Sequence, residues 1–130
     1  MLQEQIKTGS NVLHEIRGGD AVLVVGKNKI ELAQKVLDMV PADQDLVLHV
    51  HVETGKTCDV FGLLKRKTAA PHSVSAVHTT WDHLLSLYMR QHYDIVVLSD
   101  EQDEKIPPAE LLTRLLRPGG FILRYTQDKQ

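Results

Sequence analysis

The sequence predicts an α/β domain built on a parallel sheet with helices on both faces. Three observations predict it. Short apolar runs alternate with stretches of helical spacing along the chain. The run AVLVVG, 21–26, is apolar throughout, as a central parallel strand covered on both faces requires. Polar or glycine- and proline-containing breaks, such as Gly18-Gly19, Pro41 and DEQDEKIPP, separate the runs.

The elements follow in order. Leu2–Arg17 carries spaced apolar residues, Leu2, Ile6, Leu13 and Ile16, and predicts a helix interrupted near Gly9-Ser10 and ended by Gly18-Gly19. AVLVVG is the first strand. Asn28 is placed to cap the next helix, whose stripe is Ile30, Ala33, Leu37 and Val40, with Pro41 after its end. DLVLHVHV, 45–52, is the second strand; Leu46, Leu48, Val50 and Val52 share one face, and Val47, His49 and His51 the other. In 53–73, CDVFGLLKRK suits a short helix and TAAPHS a loop.

VSAVH, 74–78, is the third strand. Thr79 or Thr80 caps a helix carrying Trp81, Leu84, Leu85 and Tyr88. YDIVVLS, 93–99, is the fourth strand. Pro108 opens a helix whose inner stripe is Leu111, Leu112, Leu115 and Leu116. RPGG stops that helix, and FILRYT is the fifth strand. The chain reads as a single domain over 1–130 with right-handed crossovers.

Composition narrows the function. The 130 residues suffice for a real core, and a formal net charge of −2 argues against a general phosphate-backbone binder. No apolar run is long enough to span a membrane, and MLQEQIKTGS lacks the apolar core of a signal peptide. The one cysteine, Cys58, can form neither an internal disulfide nor a multi-thiolate metal site. These features predict a reducing, cytoplasmic setting.

Two segments carry a family resemblance. HYDIVVLSDE, followed by PPAELLTRLLRPGGFILRY, resembles the fourth- and fifth-strand region of class I S-adenosylmethionine methyltransferases. The resemblance implies a Rossmann-like, methyltransferase-type sheet of strand order 3-2-1-4-5. It also implies an acid near the end of strand one, followed by spaced glycines. Val24-Val25 stand in that acidic region instead, and Lys27, Asn28, Lys29 and Ile30 follow Gly26. Side chains would then stand where backbone must approach a ligand closely. Glu53, at the end of strand two, matches the family's ribose-holding acid, although an ordinary solvated strand-end carboxylate is the commoner case.

The degraded first loop, with VSAVHTTWDHLLSLYMRQHYDIVVLS and AELLTRLLRPGGFIL in this order, is similar over most of the chain to the N-terminal domain of the anamorsin family. That resemblance implies a non-catalytic protein-interaction domain of a cytosolic iron–sulfur cluster assembly factor. Its implied partner is a diflavin reductase that passes on electrons from NADPH. The clusters would sit in a cysteine-rich C-terminal region, leaving no cofactor in this domain. The chain would be the N-terminal part of a longer protein, ending just after strand five where full methyltransferase folds add further strands. The alternative is an active S-adenosylmethionine-dependent methyltransferase with an unusual first loop, its cofactor contacts being Gly26 and Glu53.

Other constellations are weaker. ETGKT, 53–57, ends like a phosphate loop, but Val50 stands where that loop needs its first glycine. His49 and His51 share a strand face and could ligate a metal together; His72 and His78 lie beyond an uncertain loop, and no third ligand has convincing spacing. Cys58 reads as a small buried thiol, and Ser99 lacks the flanking glycines of a nucleophile elbow. Lys65-Arg66-Lys67 is a basic triplet. Asp100, Glu101, Asp103 and Glu104 form an acidic loop past strand four, at the sheet's expected carboxyl edge. Such a loop is either a solvated turn or a docking surface for a basic partner.

Overall fold

The computed structural model describes residues 6–26, 29–40, 46–52, 72–78, 80–86, 92–99 and 109–126. In chain order these form β1 (Ile6–Gly9), a 3₁₀ turn (Val12–Glu15), β2 (Ala21–Val25), α1 (Lys29–Met39), β3 (Leu46–Val52) and β4 (His72–His78). Then follow α2 (Trp81–Leu84), β5 (Tyr93–Ser99), α3 (Ala109–Leu112), a second 3₁₀ turn (Thr113–Leu115) and β6 (Leu116–Tyr125). The fold is α/β and Rossmann-like. The sheet runs β4-β3-β2-β5-β6-β1, and every adjacent pair is parallel.

This order differs from the expected five strands by a sixth, β1, at the edge beyond β6. A helix was expected there. The four-residue spacing of Leu2 and Ile6 imitates a helical stripe, but β6 would otherwise present an open row of backbone donors and acceptors. Ile6 to Gly9 pair in register with Ile122 to Tyr125. The Lys7 ammonium lies over the Phe121 ring, 4.3 Å from its centre, and donates to Glu15 Oε1 at 3.0 Å. Those contacts tie strand, 3₁₀ turn and β6 together.

The core lies on both sides of β2. All five β2 residues are buried, as the unbroken apolar run requires. On one face, Val22 and Val24 meet Leu46, Leu48 and Val50 of β3 and Leu32, Ala33, Val36 and Leu37 of α1. On the other, Ala21, Leu23 and Val25 share a cluster with Val96 and Leu98 of β5, Leu84 of α2 and Leu112 of α3. Thr80 caps α2, its hydroxyl accepting from the His83 N–H at 3.2 Å.

The helix before β6 is shorter than its apolar stripe suggests. It narrows to 3₁₀ geometry at Thr113, and Leu116 already pairs with Tyr93. The next paired positions are Ile95 and Phe121, so Arg117-Pro118-Gly119-Gly120 arch out as a bulge in β6. Gly119 holds φ +85 in that arch.

Candidate functional site

A parallel sheet of this type receives ligands at the carboxyl ends of its strands, so the ends of β2 and β3 come first. Gly26 follows β2 directly at φ +102, a conformation that glycine adopts without strain. Val24 and Val25 are fully buried. Lys29, in the first turn of α1, reaches across to β3, and its Nζ donates to the His51 carbonyl at 3.0 Å. His51 is 4% exposed, and its ring lies 4.2 Å, centre to centre, from Trp81 of α2. This edge therefore brings together a lysine ammonium, a backbone carbonyl and a covered imidazole. S-adenosylmethionine carries a cationic sulfonium and a ribose diol that a carboxylate would hold. The described residues here offer a lysine ammonium and two buried valines and no carboxylate; Lys27, Asn28 and Glu53 lie outside them.

Glu53 follows the last residue of β3 in the chain, and Asp100, Glu101, Asp103 and Glu104 follow the last residue of β5. All five lie outside the described residues. So do Lys56, Thr57, Cys58 and the triplet Lys65-Arg66-Lys67. Ser99 closes β5 and is half-buried.

The histidines of β3 separate into two environments. His51 lies against the Trp81 ring at a tilt of 34°. His49, two positions earlier on the same face, is half-buried, and its Nδ1 lies 2.8 Å from the Tyr93 hydroxyl. The His92 ring lies 5.8 Å from that of His49, nearly parallel to it. Burial pulls the His49 pKa below its ordinary value, and the His92 charge adds to the effect. Burial likewise raises the pKa of the Tyr93 hydroxyl, which stays protonated. His72 and His78 take the first and last positions of β4. Among the described residues, no group of three or more His, Cys, Asp or Glu could hold a metal ion.

At the opposite, amino edge of the sheet lie Asp94 of β5 and Arg117 of the RPGG arch. The Asp94 carboxylate accepts from the Ala21 N–H at 2.9 Å and from Arg117 Nη1 at 3.1 Å. Asp20, beside it, accepts from the Arg17 N–H at 2.9 Å. Loss of water raises the Asp20 pKa; the Arg17 N–H opposes this and the Asp94 charge adds to it. Asp94 and Arg117 thus fasten the amino end of the sheet, opposite its carboxyl edge. Sequence reasoning ties the YD and RPGG motifs to the fold; their joint bond to β2 follows only from the register that brings Asp94 beside Ala21. The His49–Tyr93 bond was missed because the two lie far apart in the chain and on strands separated by β2.

A further recess of about 460 Å³ opens at the carboxyl end of β1, lined by Thr8, Gly9, Ser10, Asn11, Val12 and Glu15. Among the described residues, no helix is long and apolar enough to cross a membrane. No protein-family model, no curated protein and no solved structure matches the chain.

Proposed function

We propose that this chain is a non-catalytic, protein-docking domain of an anamorsin-like cytosolic iron–sulfur assembly factor, with a diflavin reductase as its partner. The Lys29–His51 contact carries the reading. It keeps the frame of a ligand-binding sheet and sets a lysine, with no acid among the described residues, where a cofactor would enter. A fold that retains its scaffold without its cofactor chemistry suits recognition of another protein. Clusters would be held by another region of the full protein, and the acidic run Asp100, Glu101, Asp103 and Glu104 would steer a basic partner. The positive φ of Gly26 favours the second reading, a methyltransferase whose first loop keeps one glycine.

Surface binding of the chain to a purified diflavin reductase tests the proposal. Saturable binding is expected. Neutralising the four acidic residues together should slow association, more at low salt than at high, because salt screens exposed charges. An unchanged on-rate would remove the acidic run from the interface. No binding by the chain, with normal binding by a longer form, would remove the domain as the docking element.

A further inference from the structure

Tyr93 and His49 belong to strands that are not neighbours, because β2 runs between β5 and β3. The tyrosine spans that strand to reach the imidazole. Its side chain is fully buried, so its hydroxyl proton needs an acceptor inside the protein. Among the described residues that acceptor is His49 Nδ1. With the Tyr93 hydroxyl as donor, His49 carries its proton on Nε2 and offers the Nδ1 lone pair to Tyr93.

We propose that the Tyr93–His49 hydrogen bond is an acid-labile latch that fastens β3, and through it the edge strand β4, to β5. A second proton on His49 turns Nδ1 into a donor. The buried tyrosine hydroxyl then faces a donor and loses its acceptor, and a buried donor without an acceptor is costly. Among the described residues, the surroundings offer the new charge little relief. β5 presents Tyr93, and His92, just before the strand, brings its ring alongside. β2 presents Ala21 and Leu23 on this face, with no charge. β3 itself adds Val47 and His51, the latter covered by Trp81. β4 brings Ser75 into register opposite His49. Among the described residues the His92 ring bears on His49, and its influence disfavours a cation there.

The sign follows from linkage. The folded form binds this proton less readily than the unfolded chain does. The latch is therefore complete above the ordinary imidazole pKa of about 6.5 and is lost as pH falls below it. Loss of the latch loosens the outer sheet, β3 and β4, while β6 and β1 keep their pairing.

Proton NMR of the imidazoles between pH 5 and 8, with amide hydrogen exchange on the intact chain, tests this. His49 is assigned by its loss in His49→Gln. Its midpoint should fall below 6.5 and move upward in Tyr93→Phe. Between pH 7.5 and 5.5, corrected protection of β3 and β4 amides should fall roughly threefold or more relative to β6. His49→Gln keeps an acceptor that does not titrate and should abolish that difference, which preserves the test if Tyr93→Phe fails to fold. A His49 midpoint at or above 6.5, or equal pH response of β3 and β6, would overturn the latch.

Discussion

Arg117 and the Ala21 backbone N–H converge on one carboxylate, Asp94, at 3.1 Å and 2.9 Å. The two bonds differ in kind. Arg117 is nearly half exposed and forms a surface ion pair, whereas the Ala21 N–H belongs to the first residue of the central strand. Asp94→Ala should therefore cost about 1–3 kcal/mol, since it strips the partner from a backbone donor. Arg117→Ala should cost less than about 1 kcal/mol, as exposed pairs do. Urea denaturation of both variants measures the ranking, and equal losses would show that the ion pair matters as much as the backbone bond.

Gly120 sits beneath the same arch. A Cβ there would stand 2.6 Å from the Asp94 carbonyl oxygen and 3.0 Å from that of Arg117. Both are backbone atoms, so Gly120→Ala must move β5 or β6, at about 1–3 kcal/mol. Gly119 has open space around it and a positive φ. Gly119→Ala should cost about 1–2 kcal/mol through backbone strain alone. Gly119→Asn should recover part of that loss, because asparagine tolerates this conformation. No asparagine replacement should rescue position 120. Thermal unfolding of the three variants checks the contrast.

Leu112 is fully buried in α3, and Leu116 opens β6 at 5% exposure. Each belongs to the cluster that covers β2 and β5 from one side. Cutting either to Ala should cost about 2–5 kcal/mol. Chemical denaturation gives the value, and a loss below roughly 0.5 kcal/mol would show that the segment does not pack as described.

The fold was legible wherever burial is two-sided or strictly alternating. AVLVV has no polar residue to orient it, and only a strand buried on both faces satisfies that pattern. In LVLHVHV the even positions enter the core, while Val47 at 36% exposure and half-buried His49 lie on the other face. The N-terminal segment reads as a helix from sequence because Ile6 has one apolar neighbour at helical spacing, while its strand partner, Ile122, lies at the far end of the chain. Leu116 was assigned to a helix because stripe spacing cannot show that its backbone already pairs with Tyr93. The site was less legible. Gly26 stands where the sequence puts it, but the Lys29–His51 and His49–Tyr93 contacts depend on which strands become neighbours. Period and propensity do not encode that adjacency.

On the proposed reading, the carboxyl edge keeps a ligand-binding frame without its cofactor chemistry. Titration calorimetry of the chain with millimolar S-adenosylmethionine tests it most directly. No saturable heat is expected, and none in Lys29→Met, since removing the lysine leaves Val24 and Val25 where an acid is needed. Saturable heat in the unmodified chain, abolished by Glu53→Ala, would contradict it and make the chain a cofactor-binding methyltransferase domain.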